Sequence, residues 1–258
     1  PARLHALRDQ MTQAGVDAYI LLSSDPHQSE YLPEYWATRE WISGFNGSAG
    51  TVVVSMEHAG LWTDVRYFLQ AEEQLAGTGI NLHKMLVQTQ AEYLDWLANH
   101  LGPGKTVGCD FWCLSFGQLA HFNKVLGSRG IHLKDCGDLL TNIWQNRPSL
   151  PKTPLFEHEI IYSGRSRAEK LAEVQEYLEK SGADCFLVAA LDEIAYLLNL
   201  RGSDVHCNPV FVAYLMIYKN GAKLFIDGDK VDSTLGASLK SDEISIVPYH
   251  EIKNIVSS

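Results

Sequence analysis

The chain has 258 residues, 46% of them hydrophobic and 20% charged, with a formal net charge of −10 at pH 7. That length can bury one large or two modest cores, and the acidic balance argues against non-specific nucleic-acid binding. The longest apolar runs, such as Ala18 to Leu22 and Val210 to Ile217, fall far short of the ~20 residues that span a bilayer, and no signal peptide is visible. The expectation is a soluble cytoplasmic protein with neither nucleic acid nor membrane as a partner.

In chain order, Leu4, Leu7 and Met11 lie at helical spacing, Gly15 falls where a helix ends, and Ala18 to Leu22 is a continuous apolar run of the kind that forms a doubly buried strand. Asp25 to Arg39 is a polar-rich segment, and Gly44 to Gly50 is a glycine-rich turn. The turn lacks the Lys-Ser/Thr ending of a phosphate loop and leads into a strand, Thr51 to Ser55. After a turn at 57–60, Leu61 to Asp64 reads as its hairpin partner. Arg66 to Leu75, Gln90 to Leu101 and Ser115 to Gly127 read as helices, and Thr106 to Asp110 and Ile131 to Lys134 as strands.

Arg147 to Pro154 carries three prolines and reads as an extended linker, which gives boundaries of 1–147 for a first domain, 148–157 for the linker and 158–258 for a second domain.

The second domain repeats the first. Arg3 to Leu22 and Lys170 to Ala189 align without a gap at an offset of 167, matching Leu4 with Leu171, Gly15 with Gly182 and Asp17 with Asp184. Leu171, Val174 and Leu178 form the apolar stripe, and Cys185 to Val188 is expected to be another strand buried on both faces. Phe211 to Tyr218 and Leu224 to Asp227 flank Asn220-Gly221, a strong hairpin signal, and a strand at Ile244 to Val247 follows. Helices alternating with hairpin strands imply two α/β domains, each a mixed sheet flanked by helices. The second copy has only 31 residues after Asp227, so it is expected to be truncated.

Chemistry is sparse. The cysteines, at positions 109, 113, 136, 185 and 207, include no C-x-x-C pair, and Cys109 with Cys113 lacks the companion pair of a zinc site. His158-Glu159 and His250-Glu251 each lack the second histidine of a metalloprotease helix. Asp25, Asp64 and Asp110 lie near strand ends, where a magnesium-binding phosphoryl-transfer site competes with ordinary turn capping. Leu200 to Pro209 gathers Arg201, Asp204, His206 and Asn208 on one loop, which makes it the first place to look for contact with a substrate or a partner.

Six stretches together resemble the amino-terminal region of the Xaa-Pro aminopeptidases, the three-domain aminopeptidase P branch of the creatinase and prolidase family. They are Asp25 to Tyr31, Arg39 to Thr51, Leu61 to Gln70, Ala190 to Tyr196, Asn199 to Val205 and Asn208 to Phe211. The resemblance implies two creatinase-amino-terminal-like domains with a ribonuclease-H-like arrangement, followed in relatives by a pita-bread catalytic domain whose motifs are absent here. That missing domain, as a partner of this region, would hold two divalent ions, manganese in the usual case. No catalytic or metal-ligating residue is therefore expected in this chain, and the fragment alone is expected to be inactive. The resemblance further implies that the region narrows access to the active site for proline-containing peptides and supports a homodimer. Arg201, Asp204, His206, Asn208, Arg39, Trp41, Asp64 and Arg66 are the candidates for facing the cleft or a partner. The alternative is a pseudo-peptidase scaffold or binding module.

Overall fold

The structure is a computed structural model that describes residues 1–87 and 91–256. The chain separates into two compact units, residues 1–149 and 150–258.

In the first unit, helix α1 (Ala2–Ala14) buries Leu4, Leu7 and Met11, and Gly15 ends it in the left-handed conformation at φ 66°. A non-glycine residue there would carry a Cβ penalty, so the sequence chooses glycine where the helix must stop. Strand β1 (Ala18–Leu21) is buried along its whole length. It is followed by α2 (Thr38–Ser43), the hairpin of β2 (Thr51–Ser55) and β3 (Ala59–Thr63), then α3 (Phe68–Gln74) and β4 (Asn81–Lys84). Next come α4 (Glu92–His100), β5 (Thr106–Cys109), α5 (Phe116–Gly127) and β6 (His132–Asp135).

The sheet runs β4-β3-β2-β1-β5-β6. β1, β2 and β3 pair antiparallel, while β4, β5 and β6 each join their neighbour in parallel. One face packs Tyr19, Leu21, Val52 and Val54 under α1; the other packs Ala18, Ile20 and Val53 under Leu94, Leu97, Phe122 and Leu126 of α4 and α5. The sequence gives no expectation of α2 or β4. α2 is one short turn set in a polar stretch, and β4 is an edge strand whose residues are exposed or half-buried, so it lacks an apolar run. The expected start of a helix at Gln90 lies outside the described residues.

In the second unit, β7 (Phe156–Glu157) and α6 (Ile160–Ser163) precede α7 (Arg167–Ser181), which opens on a capping box of Ser166 with Glu169. α7 closes on Gly182 at φ 68°, the counterpart of Gly15. Then follow β8 (Cys185–Val188), α8 (Leu191–Leu198), β9 (Leu200–Arg201), β10 (Tyr214–Tyr218) and β11 (Ala222–Ile226). α9 (Ser233–Ser241), β12 (Ile244–Pro248) and α10 (Ile252–Val256) complete it.

The main sheet runs β12-β11-β10-β8, the same order and directions as β4-β3-β2-β1, and β7 pairs with β9 separately. Among the described residues this sheet has no counterpart of β5 or β6. The stretch expected to be a linker packs into this unit instead. Leu155 joins its core and donates its N–H to the Lys230 carbonyl at 2.9 Å, and β7 supplies a strand.

The expectation for β8 is overturned as well. β8 is not buried on both faces: Cys185 is exposed, and Phe186 and Leu187 keep 46% and 38% of their surface. The run is apolar enough for a central strand, but β8 sits at the sheet edge, paired with β10 on one side alone.

Candidate functional site

The glycine-rich turn of the first unit is latched from several sides. Ser23 Oγ donates to the Gly50 carbonyl and Thr63 Oγ1 to that of Ala49, both at 2.6 Å, and Ser48 Oγ lies 2.7 Å from the Tyr67 hydroxyl. Gly47 is obligatory for packing, because a Cβ there would lie 2.3 Å from the Phe45 ring. Arg39, carried on α2, sits beneath this turn: its Nη2 donates to the Gly47 carbonyl and its guanidinium lies 4.9 Å from the Phe45 ring centre. Its Nε and Nη1 have no protein acceptor, and burial lowers its pKa to about 10. Arg39 is therefore the pillar of the loop rather than part of its exposed rim.

Trp41 stacks on Trp144 at 5.2 Å, with Arg3 over its ring. Asp64 accepts from the Arg66 backbone N–H at 3.0 Å and takes a two-pronged grip from Arg66 Nε and Nη2 at 2.9 and 2.8 Å. Asp25 Oδ1 likewise accepts the N–H groups of His27 and Ser29, and Asp110 Oδ1 that of Trp112. Each of the three aspartates thus caps the turn that follows it. Among the described residues no group of three or more His, Cys, Asp or Glu side chains is arranged to hold a metal ion.

In the second unit, the 199–209 loop turns most of its charge inward. Asn199, itself at φ 50°, accepts from Lys170 Nζ at 2.6 Å and donates to the Arg165 carbonyl at 2.7 Å. Arg201 donates to the carbonyls of Ala195 and Leu200, both at 2.9 Å. Asp204 pairs with Lys230, the two side chains 0% and 2% exposed, and also accepts the Thr153 hydroxyl and the Val212 N–H at 2.7 Å. With a cation and two further donors both oxygens of the carboxylate are engaged, which fits an anchor for the loop. His206 and Cys207 are exposed and Asn208 is half-buried, so the outward chemistry comes from the tip. Of the candidates in this loop, the structure gathers Arg201 and Asp204 into the framework and leaves His206 and Asn208 at the surface.

Sequence reasoning missed two features. A groove of about 490 Å³ in the second unit is lined by Val212, Ile226, Lys230, Ile246, Pro248 and Tyr249 among others, residues drawn from separated segments with no local signal. In the first unit His58 and His83 meet Nε2 to Nε2 at 3.0 Å, His83 lies flat on Trp62 at 3.9 Å, and Trp96 stacks on His58. Burial lowers the pKa of His83 to about 4 and also lowers that of His58. The pairing of Trp62 with His83 across β3 and β4 depends on a strand that the sequence did not announce.

Comparison with known proteins places both units. The creatinase/prolidase N-terminal domain model matches residues 3–143, and a second model of the same description matches residues 146–258. Aminopeptidase P2 of Arabidopsis thaliana is 39% identical over 95% of this chain and 35% of its own length. Xaa-Pro aminopeptidase 1 of Dictyostelium discoideum is 38% identical over 97% of this chain and 41% of its own. The crystal structure of the X-prolyl aminopeptidase of Caenorhabditis elegans, a cytosolic enzyme with a di-nuclear active site, superposes with a TM-score of 0.91 at 31% identity, over 99% of this chain and 44% of that one. The chain thus spans well under half the length of each of these relatives. With one model on each repeat and four strands in the same order in both, this chain belongs to the creatinase/prolidase N-terminal domain family as two tandem copies.

Proposed function

We propose that this chain is the amino-terminal, non-catalytic region of an Xaa-Pro aminopeptidase, a metal-dependent exopeptidase that removes the residue preceding proline. The observation that carries this reading is the superposition on the worm enzyme, which spans nearly the whole chain and less than half of that relative. By family resemblance two divalent ions, manganese in the usual case, would be held by the catalytic part of the longer protein. Their chemistry there is to activate a water for attack on the peptide bond.

This region's own residues would shape access to that site and support a homodimer. The loop tip supplies polar contacts from exposed His206 and half-buried Asn208, while Asp204 and Arg201 fix its backbone. In the first unit Arg66, locked to Asp64, and the rim around Trp41 are the corresponding surfaces, and Arg39 holds the turn beside them. The localisation that goes with this reading is cytoplasmic, supported by the cytosolic worm relative.

The test compares the 258-residue chain with the longer protein of which it would be a part. With manganese present, the longer protein should cleave Xaa-Pro tripeptides, and the short chain should not. In the longer protein, His206→Ala with Asn208→Ala should raise KM severalfold while metal content stays unchanged. Absence of cleavage by the longer protein would favour the scaffold reading, and unaltered kinetics in the double variant would remove the loop tip from the cleft. Sedimentation of the longer protein, monomer against dimer, decides the homodimer.

A further inference from the structure

One edge of the first unit's sheet holds a cluster that the peptidase reading does not use. His58 stands in the turn before β3 and His83 on β4, the strand that ends the sheet, with Trp62 of β3 opposite His83 in the parallel register. His83 lies on Trp62 with ring centres 3.9 Å apart and planes within 9°, and His58 stacks on Trp96 of α4 at 4.7 Å. Gly60, inside β3, makes the room: a Cβ there would lie 2.7 Å from His83 Cδ2 and 2.8 Å from its Nε2. Glycine weakens a strand interior, so its presence here marks a close approach that the strand accommodates. The approach ends in a contact between the half-buried imidazoles of His58 and His83. Two partly desolvated rings share one hydrogen there, an arrangement that apolar packing alone does not call for.

The two rings meet head to head. Nε2 lies 3.0 Å from Nε2, the ring centres are 5.2 Å apart and the planes cross at 78°. The centres are separated by little more than the nitrogen contact plus the two ring radii, so each Nε2 points at the other along one line. A cation placed between collinear donors is two-coordinate, the geometry of soft, closed-shell monovalent ions and not of zinc, which takes a tetrahedral set. With metal–nitrogen bonds of ~2 Å, a linear ion needs the nitrogens about 4 Å apart, so the rings have to part by about 1 Å along the line they already share. A tetrahedral or square-planar ion would instead require both rings to turn out of their indole stacks. The linear geometry needs no third ligand, so the pair suffices although the described residues hold no group of three. The surroundings suit a soft ion: Met85, one residue past β4, packs on the same apolar cluster as Trp62 and Trp96, and copper(I) favours thioether sulfur as a ligand.

We infer that His58 and His83 form a site for a soft monovalent cation of the copper(I) class, held linearly between the two Nε2 atoms and flanked by Trp62 and Trp96. Burial lowers the pKa of both rings, that of His83 to about 4, so at neutral pH neither ligand carries an extra proton that the ion must displace. The Asn81 amide nitrogen lies 3.4 Å from His58 Nδ1 and donates to it, which assigns the shared hydrogen to His58 Nε2. When the ion enters, that hydrogen passes to Nδ1, and turning the Asn81 amide over presents its oxygen to receive it. Binding is therefore a change of tautomer with no net proton released. It also ties the turn before β3 to the edge strand β4.

Silver(I), linear and inert to oxidation, is the probe. The accessible thiols of the 258-residue chain are alkylated first, so that exposed Cys185 and Cys207 do not compete. Calorimetric titration should then show one equivalent of silver bound, with His58→Gln and His83→Gln each weakening it at least tenfold. His100→Gln should leave it unchanged, since His100 stacks on Trp96 and turns its Nδ1 to the Trp96 carbonyl. In the unaltered chain, nitrogen NMR of the imidazoles should show the Nε2 resonances of His58 and His83 shifting together as silver is added, a readout that stands even where a variant does not fold. Absence of silver binding, unchanged affinity in both histidine variants, or binding that leaves those resonances in place would overturn the proposal. So would zinc binding at the pair more tightly than silver, because the linear geometry would then be wrong. No readout involves peptide cleavage, so failure here is separable from failure of the peptidase reading.

Discussion

Lys230 and Asp204 show why a residue that looks reactive in a sequence can be structural. Asp204 sits on a loop rich in Gly, Ser and Asn, yet its carboxylate faces a cation drawn from a turn 26 residues later. Removing one partner of such a buried pair strands the other charge, so Lys230→Met should cost about 3 kcal/mol, read from urea unfolding followed by far-UV circular dichroism. A double change, Asp204→Asn with Lys230→Met, should recover part of that loss; additive costs would reject the pairing as the cause. The histidine pair supplies a pH prediction. Against an ordinary imidazole pKa near ~6.5, burial holds His83 at about 4, with His58 also lowered and His100 and Arg8 adding positive potential. Above about pH 6.5 the pair is neutral folded or unfolded and contributes no pH dependence. As pH falls toward about 4, the unfolded chain binds protons that the folded chain refuses, and stability falls. His83→Gln should flatten the stability profile across that window, and an unchanged slope would contradict the assignment.

Elements differ in how openly the sequence declared them. The helix, its glycine stop and the strand after it were legible in both copies, because a 3.6-residue stripe, a left-handed stop and an apolar run are local signals, although the burial expected of that strand holds in the first copy alone. The Asn220-Gly221 hairpin was equally clear, and Gly221 now has a second reason to be glycine. It takes φ 77°, and a Cβ would lie 2.6 Å from the Glu243 carbonyl oxygen. Gly221→Ala should therefore destabilise by about 1–3 kcal/mol, while Gly228→Ala, with open space around it, serves as a near-neutral comparison. Ser166→Ala, which opens the capping box of α7, should cost about 1 kcal/mol by the same assay. What stayed hidden was set by position in the sheet. β4 lacks apolar alternation because it is an edge, and β8 has the composition of an interior strand at a place where its second neighbour is missing. Composition reports what a strand is suited to, whereas exposure reports what it has found. The same distinction governs the candidate site, where the polar character of 199–209 was evident but the inward turn of Arg201 and Asp204 depended on partners far along the chain.

At the scale of the molecule, each unit has its own apolar cores, with no residue shared between the clusters of one and the other. A fragment of residues 1–149 should accordingly fold as a cooperative unit. A fragment of residues 150–258 should fold less stably and self-associate more readily through its bare edge. Size-exclusion chromatography and thermal melts of the two fragments test this, and a second fragment as stable and monodisperse as the first would count against the open edge as a liability.

The aromatic stack of Trp62 on His83 belongs to a wider asymmetry, since all six tryptophans lie before residue 150, at positions 36, 41, 62, 96, 112 and 144. The two units are therefore optically distinct. Indole emission follows the first unit alone, with tyrosine the strongest near-ultraviolet chromophore of the second. Because an imidazolium quenches a neighbouring indole, protonation of His83 would dim Trp62. One emission signal can therefore follow the titration of the histidine pair and the melting of the first unit, while the second unit stays dark.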